Sequence, residues 1–273
     1  MSFNDKLNSA VQKNNSLLSV GFDPVVDKIP QFLIEKDFPF FEFNKAIIDT
    51  TYDLVCAYKF NSAFYEAEGD KGIKELKMSI NYIKEKYPEV PTILDAKRGD
   101  IDNSNQGYVK YAFDYLGADS LTVMPYMGIQ SLQPFFDRKD RGIIIGCHSS
   151  NPGAKEFQEL IINNKPLYHI VAEEIMKQYG DNPNSMIFMG ATYPEELGTI
   201  RTIIGDKTIL APGIGAQAGT LEMSVRAGVN SQNKGLIIVI VRGVTYVSTS
   251  EDFAEKARQA AKNYRDEINK FRT

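Results

Sequence analysis

The run Leu94-Asp95-Ala96-Lys97-Arg98-Gly99-Asp100-Ile101 puts two carboxylates and an ammonium within a few residues of each other. Acids crowded around one lysine are costly unless the charges are paired or the site uses them. Side chains two apart on a strand share a face. The strand that the sequence suggests over 92–96 therefore predicts that Asp95 and Lys97 project together. Asp100 follows just past the strand end, where the chain bends back. A solvated salt-bridge cluster would show the same pattern, since structural ion pairs also perturb pKa values.

Other chemistry-bearing residues fall in comparable places. Lys59 ends the apolar stretch Ala57-Tyr58-Lys59-Phe60, where a lysine either faces a pocket or snorkels to the surface. Asp23, in Gly21-Phe22-Asp23-Pro24, could accept hydrogen bonds from a sugar hydroxyl or serve only as a turn residue ahead of proline. Ser150, in Ser149-Ser150-Asn151-Pro152-Gly153, has the chemistry to read the edge of a polar ring, and equally fits an ordinary turn.

The stretch Gly213-Ile214-Gly215-Ala216-Gln217-Ala218-Gly219 opens a helix. Its glycines would let backbone amides approach an anion, or serve turn geometry alone. Its spacing misses the dinucleotide fingerprint by one residue. Arg242-Gly243 could offer a bidentate partner to the same anion. His148 and His169 lack ligand spacing for zinc, and His148 and its neighbour Cys147 should face opposite ways on a strand.

The elements that must position these residues alternate. Expected strands are 17–22, 54–60, 92–96, 120–124, 142–147, 186–189, 208–211 and 236–241. Several, such as Ile237-Ile238-Val239-Ile240-Val241, are continuously apolar, as strands covered on both faces are. Ile73, Leu76, Ile80, Ile83 and Tyr87 recur at helical spacing until Pro88. A last helix is expected behind a Ser250 cap, with Phe253, Ala257, Tyr264, Ile268 and Phe271 as its apolar stripe. Eight strand–helix units suggest a (β/α)8 TIM barrel; an open doubly wound sheet is the alternative. The barrel is favoured because the polar clusters all lie at or beyond the C-terminal ends of strands, which a barrel gathers around one mouth.

Bulk properties bound the rest. The 273 residues show no linker or low-complexity tract, so one barrel domain over 1–273 is expected. Net charge is −4 with no basic block, which argues against a nucleic-acid surface. Two distant cysteines and a start without an apolar core fit a cytoplasmic, reduced setting. The longest apolar run is too short to span a bilayer, so no membrane partner is expected.

Taken in order, Phe22-Asp23-Pro24, Lys59-Phe60-Asn61, Asp95-Ala96-Lys97-Arg98-Gly99-Asp100-Ile101, Ser150-Asn151-Pro152-Gly153-Ala154, Pro212-Gly213-Ile214-Gly215-Ala216-Gln217 and Arg242 resemble the orotidine 5′-phosphate decarboxylases. The D-A-K-R-G-D-I form points to their bacterial branch. The resemblance implies conversion of orotidine 5′-phosphate to UMP and CO2, the last step of de novo pyrimidine synthesis, with no metal and no organic cofactor. It also implies that Lys59, Asp95 and Lys97 form a charged array at the substrate carboxylate. Asp100 would be completing that array from the other subunit of a homodimer, and Ser104 would cross the same interface. Asp23 would bind the ribose, Ser150 the pyrimidine, and Gln217 and Arg242 the phosphate, with Gly215 and Gly243 beside it. The stretch after Gly213 is expected to act as a lid.

This chemistry is physically consistent. Loss of CO2 from a ring carbon without an electron sink leaves a localised carbanion, which fixed cations and dipoles must stabilise. Lys97 is the natural source, and the natural donor of the proton that quenches the carbanion. Rival readings are a Mg2+-dependent sugar-phosphate decarboxylase or aldolase of the same barrel superfamily, a Schiff-base aldolase, and a barrel that binds nucleotide without turnover. Lys59 stands where the metal enzymes carry an acidic ligand.

Overall fold

The computed structural model describes residues 1–190, 193–213 and 218–272. Among them, eight strands close into a barrel: β1 (Leu18–Phe22), β2 (Ala57–Asn61), β3 (Thr92–Arg98), β4 (Ser120–Val123), β5 (Gly142–His148), β6 (Ser185–Met189), β7 (Ile209–Pro212) and β8 (Leu236–Ile240). Each pairs in parallel with its sequence neighbours, and β8 closes on β1. The continuously apolar runs are buried along their length, as in Gly142–His148 and Leu236–Ile240. Parallel strands sandwiched between barrel interior and helices have no polar face. The pairing of β8 with β1 closes the sheet and excludes the open-sheet alternative.

Expected and observed strands agree to within a residue or two, except at β2. Pairing there begins at Ala57, three residues later than the apolar run starts. The carbonyls of Leu54 and Val55 are instead taken by side chains, Ser16 Oγ at 2.7 Å and Asn14 Nδ2 at 2.8 Å. Apolarity reports that this stretch is buried, not which groups satisfy its backbone.

The amphipathic helix α3 (Gly69–Lys86) runs as the spacing predicts and packs against α2 (Pro39–Thr51). The last helix, Phe253–Phe271, starts after Asp252, not behind Ser250. Ser250 contributes only its carbonyl, which accepts the Phe253 N–H at 3.0 Å. Its hydroxyl is not a cap because the chain makes one more turn before entering the helix. Phe253, Ala257 and Ile268 of the expected stripe are buried, together with Ala261.

Among the elements the sequence reading did not name is one at the N-terminus. The N-terminal helix α1 (Phe3–Asn14) is held by a capping box between Ser2 and Asp5. It lies across the strand starts. Phe3 packs on Gly142 at the foot of β5, and Lys6 ion-pairs with Asp119 just before β4 at 2.8 Å. With that end covered, the C-terminal strand ends form the accessible mouth, where barrels place their chemistry.

Candidate active site

The mouth holds a cavity of about 910 Å3. That is at the upper end of the volume range typical of small-molecule sites. Its polar floor comes from three adjacent strands. Lys59, on β2, is 3% exposed and reaches Asp23 beyond β1 at 3.0 Å and Asp95 on β3 at 3.3 Å. Asp95, 5% exposed, also accepts from Lys97 Nζ at 2.7 Å. The sequence Asp23–Lys59–Asp95–Lys97 is thus a chain of alternating charges. Lys97 is its open end: its side chain remains 45% exposed, and its ammonium stands 5.5 Å from the Phe188 ring centre. Lys59 therefore does not snorkel, and the acidic run is not a solvated cluster.

Electrostatics accounts for the ionisation of the inner pair. Burial raises the pKa of the Asp95 carboxyl, but the Lys59 and Lys97 ammoniums and a hydroxyl donor outweigh it, leaving Asp95 below its ordinary value. Burial lowers that of Lys59, and Asp95 and Asp23 reverse this, leaving it above its ordinary value.

The expected i, i+2 alternation is not what brings Asp95 and Lys97 together. The β3–β4 register breaks between Leu94 and Arg98, and Lys97 takes a left-handed conformation at φ 47°. Such a backbone is strained for a non-glycine residue and must be held by its surroundings. Thr122 on β4 holds it. Its hydroxyl accepts from the Lys97 N–H and donates to Asp95 Oδ1, both at 2.9 Å. Beyond the bulge, a Cβ at Gly99 would collide with the Met124 carbonyl, so glycine is needed for β3 to leave along β4. Sequence reasoning missed Thr122. The available signal was a hydroxyl in the otherwise apolar strand end Leu121-Thr122-Val123.

Ser150, Arg242 and Gly243 also line the cavity. No hydrogen bond among the described residues engages the Ser150 hydroxyl. That of Ser149 is occupied, donating to Asn151 at 2.6 Å and accepting from Gln158 at 3.0 Å. Arg242 is exposed and, among the described residues, has no acidic partner. Tyr246, also missed, lies on the same side. Its hydroxyl donates to the Asp23 carbonyl at 2.6 Å and accepts from Val25 N–H at 3.0 Å, tying the end of β8 to the turn after β1. Gly215, Gln217 and the expected lid lie outside the described residues.

Asp100 and Ser104 are not in this cavity. They share a separate surface depression of about 470 Å3 with Arg98, Tyr108 and Tyr111. The buried Asn105 fixes that loop, accepting from Asp100 N–H at 3.0 Å and donating to the Asp100 and Ser131 carbonyls. Within one chain, then, Asp95 is the only carboxylate among the described residues that meets the Lys97 ammonium. Among the described residues no group of three metal-ligating side chains occurs, and no helix is long and apolar enough to cross a membrane.

Residues 31–260 match the model of the orotidine 5′-phosphate decarboxylase / HUMPS family. The chain belongs to that family. An orotidine 5′-phosphate decarboxylase of Ralstonia pickettii is 43% identical over all of both chains. One of Cellvibrio japonicus is 44% identical over 98% of each. Among solved structures, the OMP decarboxylase of Leishmania donovani superposes with a TM-score of 0.87 at 34% identity, covering 100% of this chain and 99% of that one. As in any member of this family, the barrel alone does not decide the chemistry; the charged floor must.

Two outcomes are expected. Thr122→Val is isosteric and removes both hydrogen bonds, so kcat should fall roughly tenfold to hundredfold as Lys97 loses its fixed position. Affinity for a nucleotide product should change little, and Thr122→Ser should restore most of the rate. Steady-state kinetics with calorimetric binding checks this. The second concerns pH. The contribution of Asp95 to stability is complete above 3.8, its ordinary value, and is lost as pH falls through its lowered folded value. That of Lys59 is complete below 10.5 and lost as pH rises through its raised one. The difference in unfolding free energy between parent and Asp95→Asn should therefore be level from about pH 5 to about pH 9 and shrink in acid. Urea titrations carried from neutral pH into acid below about pH 4 check this; a difference that stays flat there is the contrary result.

Proposed function

We propose that this chain decarboxylates orotidine 5′-phosphate, breaking the bond between the ring carbon and its carboxylate to leave UMP and CO2. The observation that carries the reading is the Asp23–Lys59–Asp95–Lys97 chain of charges on the floor of the cavity, ending in a lysine that faces the open space. The electron pair left on the ring carbon is stabilised by the Lys97 ammonium, held in position beforehand by Asp95. Lys97 then gives that carbon a proton and recovers one from solvent. Asp95 holds Lys97 in place and Lys59 holds Asp95. Both carboxylates of the floor are thus engaged by ammonium groups, which fits charge stabilisation by lysine better than a divalent cation.

The remaining cavity wall supports the division of the substrate. Ser150 offers a hydroxyl to the pyrimidine edge. Asp23 retains a second carboxylate oxygen for the ribose. Arg242, beyond β8, lines the cavity together with Gly213 just past β7, on the side where barrels seat phosphate. Distant phosphate binding then contributes to holding the ring against Lys97.

Asp100 and Ser104 lie outside their own cavity, on an exposed face. We read them as completing the site of a second copy of this chain in a homodimer, with Asp100 meeting the open end of that copy's array.

Two experiments test this. UMP formation from orotidine 5′-phosphate should proceed undiminished in EDTA, and Lys97→Ala should lower it by at least about a thousandfold; loss in chelator with recovery in Mg2+ would sink the lysine mechanism. Lys97→Ala and Asp100→Asn should each be nearly inactive alone. When mixed under verified subunit exchange, they should regain activity, because one site per heterodimer then carries every residue. Absence of recovery would refute the shared site without touching the first result.

A further inference from the structure

His148 ends β5 two residues before Ser150, and nothing in the proposed chemistry uses it. Its side chain is 0% exposed, and Nε2 stands 3.2 Å from Glu159 Oε1. Nδ1 is buried with no hydrogen-bond partner. A proton on Nδ1 would be stranded, whereas a bare lone pair there costs less, so the tautomer that fits carries its proton on Nε2 and donates it to Glu159. The ring is wedged against Tyr168 and Tyr193, with centroids at 4.7 and 5.7 Å. Cys147 beside it is buried as well, its thiol donating to the Tyr168 carbonyl at 3.0 Å.

The next residue is held by the neighbour of Glu159. Gln158 Oε1 accepts from Ser149 N–H at 2.7 Å, and its Nε2 donates to Ser149 Oγ at 3.0 Å. Gln158 is itself fixed, its N–H on the Ala154 carbonyl and its carbonyl on Tyr168 N–H. Gln158 and Glu159 form the base of a short exposed hairpin that pairs Ile161–Ile162 with Lys165–Pro166. On the opposite side the chain runs against Gly190. A Cβ there would stand 2.7 Å from Ser150 N and 2.8 Å from its Cβ. Gly190 N–H also donates to the His148 carbonyl at 2.8 Å. The backbone carrying Ser150 is thus enclosed by a glycine wall on one side and consecutive side-chain anchors on the other.

We propose that His148, through Glu159, is a positioning residue for substrate recognition: together with Gln158 it clamps the end of β5 so that the Ser150 hydroxyl is presented to the base of the bound nucleotide. The inference rests on the assignment of Ser150 to the pyrimidine. A positioned hydroxyl that meets the ring in ground and transition states alike contributes uniform binding, so its loss appears mainly in KM.

The test is a double-mutant cycle on orotidine 5′-phosphate turnover and UMP binding. His148→Leu should raise KM about tenfold with little change in kcat. His148→Gln, whose amide nitrogen reaches where Nε2 stood, should recover most of the loss; His148→Asn, too short, should not. In a Ser150→Ala background His148→Leu should add less than about twofold, because the group it positions is gone. Full multiplication of the two effects, or an unchanged KM in a folded His148→Leu protein, overturns the clamp. If His148→Leu does not fold, Glu159→Ala removes the same contact from its solvent-facing side, with the same expected and overturning results. Ser150→Ala tests the underlying assignment separately. If it matches the parent, assignment and clamp both fall; if it is impaired while the His148 and Glu159 variants are not, only the clamp falls.

Discussion

A carboxylate enclosed in a barrel wall is destabilised by its own burial, and Asp95 is 5% exposed. It remains ionised because Lys59, Lys97 and the Thr122 hydroxyl surround it at 2.7–3.3 Å. Each partner depends on it in return. Lys59 is buried without solvent to accept its charge, and Lys97 is anchored at its nitrogen by the same oxygen that Thr122 contacts. Buried ion pairs seldom add net stability over apolar packing. What this array provides is a cation fixed in position before substrate arrives, the condition for stabilising charge that develops during a reaction.

That array is built on three adjacent parallel strands. Lys59 and Asp95 come from neighbouring strands, and Asp23 from the turn after β1 on the other side of Lys59. Parallel pairing brings all their C-terminal ends to one mouth, while α1 occupies the opposite end. The local departure from regularity is at Lys97, where a bulge replaces the pleat and a hydroxyl of the next strand holds the left-handed backbone. Strain of this kind persists where neighbouring structure over-determines it, and here it coincides with the reacting lysine of the proposed mechanism.

The same short run serves two surfaces. Asp95 and Lys97 face the cavity, whereas Asp100, three residues on, lies on the outer face, pinned by Asn105. The bulge and Gly99 turn the chain between them. That part of the charged motif lies outside its own cavity is the observation from which a site shared between copies is proposed.

Much of this was legible in the residues alone. Apolar strand runs, the spacing of Ile73, Leu76, Ile80 and Ile83, and polar clusters at strand ends pointed to the barrel and put Lys59, Asp95 and Lys97 at strand ends, because burial on both faces and the strand-end position of charge are written in residue type; that the three form one array was implied only by the family resemblance. Tertiary structure decided the rest. Tyr246 acts through partners distant in sequence and no local pattern marks it; Thr122 shows only as a hydroxyl in an apolar strand end, which does not say which groups it bonds. Asp95 and Lys97 meet through a bulge that depends on β4, not through strand alternation. Ser250 is displaced as a cap by the path of the preceding turn, and Asp100 parts from Lys97 because Asn105 and Gly99 set the direction of the loop. Composition and periodicity report what must be buried or charged; which groups then satisfy one another depends on contacts that exist only once the chain has closed.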